Sequence, residues 1–295
     1  MPSLKEVRTR IESVNSTKQI TSAMKMVAAA KLRKSQGAIT TMRPYAAKLR
    51  EMIQNIAASS AETGSTSLPH AENRTVNNVL IVAVTSNRGL CGTFNTNIVK
   101  QVMKLITEEY GTQFNEGKLT VMCIGRKGEE ALKNRNIPVS GGNNHLLDKL
   151  SYQQIVPLGE KLIEGFLNGS YDRIVFVYSQ FKSAGSQTVA TEQLLPVQLP
   201  VVEKDDMSFS TEYIFEPDRS QILEEIVPKA LKIQLYKMLL DSLASENGAR
   251  MVAMHKATDN AAEMLKNLKL TYNKARQAAI TKEILEIVGG ANALS

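Results

Sequence analysis

The stretch RMVAMHKATDNAAEMLKNLKLTYNKARQAAITKEILEIV, residues 250–288, decides the fold. Within it Met254, Ala257, Ala261, Met264, Leu268, Thr271, Ala275 and Ala278 recur at alternating steps of three and four, the period of a helix seam packed against another helix. No proline follows Pro228. The sixty or so residues after it would form a rod of roughly 90 Å at about 1.5 Å per residue, far longer than the helices of ordinary globular domains. Such a helix is marginal alone and requires a partner along its length.

The other end of the chain supplies one. Ser3 stands as N-cap with Glu6 three residues on, a capping-box pattern. Leu4, Val7, Ile11 and Val14 continue at helical spacing through Met24, Ala28 and Leu32 towards Ala57, with Pro44 as the serious objection. Two long helices rich in alanine predict an antiparallel coiled coil with close approach of the backbones. Lys18, Thr21 and Lys25 interrupt the first seam. Burying unpaired lysine is costly, so the rod is expected to be partly exposed or read by other chains. Residues 1–50 hold eleven Lys and Arg against Glu6 and Glu12, an excess of nine in a chain whose net charge is +7. That surplus reads as a solvated face or as a basic track facing an acidic partner or polyanion.

Between the helices the period changes. Ser59–Asn73 is a polar, small-residue linker. Val76–Ser86, Lys118–Gly125 and Tyr171–Gln180 are apolar runs of strand length, and Glu192–Leu199 and Ser208–Glu216 are further strand candidates. Phe94–Tyr110, Arg126–Asn134 and Tyr152–Asn168 read as helices between them. Strands alternating with helices predict an α/β layer with a largely parallel, Rossmann-like sheet, inserted between the terminal helices. The expected division is a helix over 1–58, a linker over 59–75, the α/β domain over 76–216 and a helical region over 217–295, broken or kinked at Pro228 into a short and a long helix.

The chain is 43% hydrophobic, enough for a packed core, yet only 5% aromatic with no tryptophan, in keeping with much rod or interface. Cys91 and Cys123 are its only cysteines and show no metal or disulfide spacing, which suits a reducing compartment. The first residues hold no apolar signal core and no run reaches roughly 18 apolar residues. A cytoplasmic protein, or one attached to a membrane through partners, is expected.

Sites of chemistry are scarce. SNRGLCG at 86–92 follows the first predicted strand, where α/β folds bind ligands, but it lacks both phosphate-cradling glycine fingerprints. Gly125-Arg126-Lys127-Gly128 offers two basic side chains after a strand, and Gly248 weakens a helix or admits another backbone. His70, His145 and His255 are far apart in sequence, and Asp205 and Asp206 lack the alternation of a calcium loop. No catalytic, cofactor-binding or metal residues are assigned.

Five stretches carry a resemblance: LKEVRTRIESVNSTKQITSAMKMVAAAKLRK at 4–34, SNRGLCGTFN at 86–95, LLP at 194–196, LASENGARMVAMHKATDNAA at 243–262 and LTYNKARQAAITKEILEIVGGA at 270–291. In order and over essentially the full length, they resemble the gamma subunits of F-type ATP synthases. The resemblance implies a non-catalytic rotor without a cofactor. Its terminal helices would form an asymmetric shaft inside a ring of alternating alpha and beta subunits, and its α/β domain would meet epsilon and the membrane c-ring. Delta, a and b subunits would belong to the same complex, and nucleic acid would not be a partner. Proton flow would turn the shaft and drive ATP release from sites on beta, with hydrolysis able to turn it backwards. Met24, Lys25, Met26 and Val27 match the first shaft segment beside beta. Arg250, Met251, Thr258, Asp259 and Asn260 match its C-terminal counterpart, Tyr272, Asn273, Arg276 and Gln277 the last signature, and Arg88 and Gly89 the turn of the middle domain. The basic first helix would then face acidic segments of beta.

The chain departs from that pattern in three places. Asn87 replaces an aspartate, His255-Lys256 a lysine and a small residue, and Gly248 an alanine. The two-cysteine insert of light-controlled plastid forms and a mitochondrial presequence are both missing, so a bacterial, redox-insensitive subunit on the cytoplasmic side of the inner membrane is expected. Two other classes compete. An independent α/β enzyme for nucleotide or phosphate, with a helical oligomerisation arm, would require Arg88 or Lys127. A basic coiled-coil adaptor for nucleic acid would need a base-reading motif that the chain does not show.

Overall fold

The computed structural model describes residues 3–63, 69–72, 74–197 and 219–294. Helix α1 spans Leu4–Thr63 and helix α6 Arg219–Leu294. Between them lie β1 (Val79–Val84), α2 (Phe94–Glu108), α3 (Gly111–Asn115), β2 (Leu119–Ile124), α4 (Arg126–Lys133), β3 (Val139–Ser140), α5 (Tyr152–Leu167), β4 (Arg173–Phe181) and β5 (Gln187–Leu195). The chain divides into two compact units, Met1–Ala29 with Arg250–Ser295, and Ala30–Ala249.

The larger unit is built on a five-stranded sheet in the order β3-β2-β1-β4-β5, parallel except for the β4–β5 pair. Both faces of β1 are covered, which explains its unbroken apolar run. Leu80, Val82 and Val84 point into one core with α5 and with Leu223, Val227, Leu231 and Leu235 of α6. Val79, Ile81 and Ala83 point into the other, with Ile98, Val102 and Leu105 of α2. The two-residue β3 falls where the sequence showed only the approach to a glycine loop. The candidate strand Ser208–Glu216 lies outside the described residues, as do the last residues of the Glu192–Leu199 candidate.

Helix α6 is not divided at Pro228, contrary to the expectation of a short and a long helix. A proline inside a helix costs about 3 kcal/mol. Leu223 and Val227 before it and Leu231 and Leu235 after it are buried in one core, and at about 1.5–3 kcal/mol each their burial outweighs that cost. Pro44 likewise lies inside α1, which continues to Thr63 through the start of the polar stretch. Ser3 Oγ accepts from the Glu6 amide at 3.2 Å, as the capping pattern predicts.

In the smaller unit, Thr258 Oγ1 donates to Thr21 Oγ1 at 2.9 Å, and Lys25 Nζ lies 3.5 Å from His255 Nδ1. Rising numbers on α1 meet falling numbers on α6, so the pair is antiparallel, as expected. The seam on α6 is shifted from the predicted one. Met254, Ala261, Leu268 and Ala275 hold their places, but Thr258, Leu265, Tyr272 and Ala279 face inward where Ala257, Met264, Thr271 and Ala278 were expected. Met264 is 56% exposed, whereas Leu265 is buried. Both phases alternate threes and fours. The observed one buries a leucine, half-buries a tyrosine and lets Thr258 meet Thr21, so it removes more apolar surface from water and pairs a polar layer.

A candidate subunit interface on the helical pair

On α1 the inward positions Leu4, Val7, Ile11, Val14, Lys18, Thr21, Lys25 and Ala28 keep a strict heptad rhythm. Thr21 and Lys25, read from sequence as interruptions, are members of the seam whose polar groups are met across it. His255 is shared: its Nδ1 lies 3.3 Å from Asp259 Oδ2 as well as 3.5 Å from Lys25 Nζ. A neutral ring accepts from the lysine, and a protonated ring donates to the aspartate. The histidine that departs from the family pattern thus joins two of the functional candidates, Lys25 and Asp259, across the pair.

The outward face of the same pair is apolar in patches. Ile20, Met26 and Val27 of α1 are each more than half exposed, and so are Met264 and Leu270 of α6. Met24 and Lys25 are half-buried, Arg250, Met251, Thr258 and Tyr272 likewise, while Asp259, Asn260, Asn273, Arg276 and Gln277 are exposed. The cross-helix bonds pair residues whose numbers add to 279 or 280, so Leu4 lies opposite the Ala275–Arg276 level. Beyond that level α1 has no helical turn to offer, and every residue from Thr281 to Gly290 is exposed, with Ile284, Leu285, Ile287 and Val288 among them. A contiguous apolar surface on a helix end is a candidate for contact with another molecule.

In the larger unit, the turn after β1 is closed on itself. Ser86 Oγ donates to the Arg88 carbonyl at 2.7 Å, the Ser86 amide donates to Asn95 Oδ1 at 3.0 Å, and Asn95 Nδ2 donates to Cys91 Sγ at 3.2 Å. Leu90 and Gly92 carry φ of 63° and 60°, a left-handed backbone that leaves Arg88 and Leu90 exposed. Asn87 Nδ2 donates to the Asn144 carbonyl at 2.8 Å and to Asp148 Oδ1 at 3.1 Å, while its Oδ1 accepts from the Arg126 amide. An aspartate could not donate and would face the Asp148 carboxylate, which accounts for this departure.

The amides that open α4 are spent within the fold. Arg126 N goes to Asn87, Lys127 N to the Ser86 carbonyl, and Gly128 N to Thr85 Oγ1, which itself donates to the Gly125 carbonyl. Gly125 and Gly128 are glycines because a Cβ would come within 2.2 Å of the Thr85 carbonyl oxygen and 2.5 Å of Thr85 Oγ1. A helix start whose donors are already taken has none to offer a phosphate, which removes the basis for a phosphate site at Lys127. Cys123 lies in the strand core, where burial, with Glu129 adding to it, pushes its thiol up to about 12, so it is inert as a nucleophile. Glu129 is held below the usual carboxylate range by hydrogen bonds from Lys133 and Asn144. Among the described residues, no group of histidine, cysteine or carboxylate side chains could hold a metal, and no helix is long and apolar enough to cross a membrane.

A protein-family profile described as ATP synthase matches residues 3–294. The chain is 52% identical to the ATP synthase gamma chain of Flavobacterium johnsoniae and 52% identical to that of Cytophaga hutchinsonii, each over the whole of both chains. It is 44% identical to the gamma chain of Chlorobaculum tepidum over all of this chain and 99% of the other. Among solved structures, the fold is similar to a chain of the Euglena gracilis mitochondrial ATP synthase described as OSCP/F1/c-ring, with TM-score 0.68 and 22% identity over 99% of this chain and 94% of that one. It is also similar to a chain of the Tetrahymena thermophila mitochondrial ATP synthase central stalk and c-ring, with TM-score 0.57 and 23% identity over 81% and 99%.

Proposed function

The chain belongs to the ATP synthase gamma chain family, and we propose that its helical pair works as the rotating shaft against which the other subunits couple proton flow to ATP synthesis or hydrolysis. It is the non-catalytic central-stalk subunit of a bacterial F-type enzyme, peripheral on the cytoplasmic side of the inner membrane. The observation that carries the reading is the apolar run Ile284, Leu285, Ile287 and Val288, exposed on a helix end that has passed the end of its in-chain partner. Hydrophobic contact is non-directional, so a sleeve around such a tip can hold it without favouring one angle over another.

The partners that fit are the ring of alpha and beta subunits around the pair, with epsilon and the c-ring at the α/β unit and delta, a and b elsewhere in the complex. Met24, Lys25, Met26, Arg250, Met251, Thr258, Asp259, Asn260, Tyr272, Asn273, Arg276 and Gln277 are the residues through which the pair passes torque, and Arg88 and Gly89 form a second contact on the α/β unit. The functional division follows the sequence: shaft helix 1–58, linker 59–75, α/β domain 76–216 and helical region 217–295. Lys and Arg dominate the first fifty residues. They favour acidic segments of the ring and steer encounter more than they bind permanently.

The test is copurification with alpha and beta chains, followed by single-molecule observation of a label on this chain while the complex hydrolyses ATP. The label is expected to turn in steps relative to the immobilised ring. Steady hydrolysis with a fixed label would sink the rotor reading.

A further inference from the structure

The stretch of α6 that lies in the α/β unit is held to the sheet by directional contacts along one face. Gln234 Nε2 donates to Glu192 Oε1 at 2.7 Å, and Tyr178 Oη donates to Glu192 Oε2 at 2.7 Å, so one β5 carboxylate joins the helix to β4. Three turns on, Ser245 Oγ donates to the Ser179 carbonyl at 2.9 Å, with both serines buried. One turn further, Gly248 meets the β4–β5 hairpin so closely that a Cβ there would lie 3.1 Å from the Ala184 carbonyl oxygen. At about 100° per residue, positions 234, 245 and 248 fall within an arc of about 60°. The helix climbs alongside β4 towards the hairpin tip, touching it at three heights.

These contacts differ in kind from the leucine packing around them. Apolar packing resists separation but is tolerant of small rolls of a helix about its axis, because it has no preferred direction. Hydrogen bonds weaken steeply as their angles open. A roll by one residue position would carry Gln234 and Ser245 away from their acceptors and bring a side chain with a Cβ against Ala184. Tyr178 is buried, and burial together with Glu192 pushes its phenol up, so it stays a donor across the physiological range.

We propose that the β4–β5 hairpin is an azimuthal clamp on α6, in which Glu192 is the positioning residue that fixes the rotation of the helix about its own axis within the α/β unit. The proposal rests on the rotor reading. Its consequence is that the clamp sets the torsional stiffness with which a twist applied to α6 reaches the sheet. Gly248 belongs to this clamp, which gives the departure from alanine a reason: it lets the hairpin backbone come close.

The test uses the complete complex with a probe fixed to the α/β unit and the tip of α6 crosslinked to the ring, so that the angular spread of the probe reports stiffness. Glu192→Ala is expected to widen the angular variance about 1.5- to 2-fold, as when one of three comparable anchors is lost and its buried partners loosen. Tyr178→Phe should give a smaller increase, and Glu192→Gln, which keeps an acceptor oxygen, should restore most of the stiffness. ATP hydrolysis with the tip free should stay near the wild-type rate, a combination that simple loss of folding would not produce. An unchanged variance in Glu192→Ala overturns the clamp. Should that variant fail to assemble, Gln234→Met, which keeps the side-chain volume and removes the bond to Glu192, carries the same test, and an unchanged variance there is equally decisive. Failure of the rotor reading looks different: the wild-type label would not turn at all.

Discussion

One helix lives in two environments, and its halves reverse the usual rule. Between Met238 and Gly248 of α6 every residue except Leu243 is buried, including Asp241, Ser242, Ser245, Glu246 and Asn247. Between Thr281 and Gly290 every residue is exposed, including Ile284, Leu285, Ile287 and Val288. Burial of polar groups is tolerable where they are hydrogen-bonded: Ser245 reaches the Ser179 carbonyl, and Asn247 Nδ2 the Leu243 carbonyl at 2.8 Å. Exposure of apolar groups in a long run is tolerable where another chain covers them. The first half is covered within its own chain and the second is left exposed by it, so hydropathy alone would rank the two halves the wrong way round.

The contrast breaks most visibly if the two halves respond alike to losing a leucine. Leu235 is fully buried in the core shared with the sheet, and Leu235→Ala should cost the isolated chain about 3 kcal/mol in denaturant unfolding. Leu285 is 66% exposed. Leu285→Ala should leave the isolated chain within about 0.5 kcal/mol of wild type and instead weaken assembly with the ring, measured as the yield of complex at limiting subunit concentration. Equal destabilisation of the isolated chain by both would mean that the tip has a partner within its own chain.

A smaller effect sharpens the same contrast inside the helical pair. Leu265 is buried and Met264 exposed, one residue apart. Leu265→Ala should lower stability by about 2 kcal/mol, whereas Met264→Ala should change it by less than about 0.5 kcal/mol. The reverse order would restore the seam phase expected from sequence and undo the pairing of Thr258 with Thr21.

That phase shows where sequence reading reached its limit. The two long helices, their antiparallel pairing and the inserted sheet were legible because each rests on a period or a run that survives tertiary packing: 3.5 for the seams, unbroken apolar runs for strands buried on both faces. The phase of the seam was not, because Ala257, Ala261, Ala278 and Ala279 make two neighbouring stripes look equally apolar. Only Leu265 and Tyr272, set against Met264 and Thr271, break the tie. Pro228 misled for a related reason: its local penalty is visible in the sequence, and the four apolar anchors that offset it are visible only as part of a core. Asn87 and Gly248 stood out as departures, but what they contact lies 57 and 64 residues away, at Asn144 and Ala184. The strongest signal missed was Glu192, whose two partners come from β4 and α6 and share no spacing with it.

The least of these effects concerns His70, in a short 3-10 turn over Pro69–Ala71 whose His70 carbonyl accepts from the Val197 amide at 2.8 Å. The ring is buried, and among the described residues its Nε2 has no hydrogen-bond partner. Burial depresses its pKa below the ordinary 6.5, only partly opposed by the negative charge of Glu224 on the part of α6 that lies in the α/β unit. The unfolded chain therefore takes up the proton before the folded one. The stability that comes from keeping the ring neutral is complete above the ordinary value, declines as pH falls below it, and is gone once pH has passed the depressed folded value. His70→Asn removes the titration. Its melting temperature should fall less than that of the wild type between pH 7.5 and 5.5, whatever its level at the upper end. Glu224→Gln should act in the opposite sense, steepening the wild-type decline, because without that charge the protonated ring loses its one compensation. Parallel curves for wild type and His70→Asn would show that the buried ring does not couple to folding, and would leave the acid sensitivity of the α/β unit to its carboxylates.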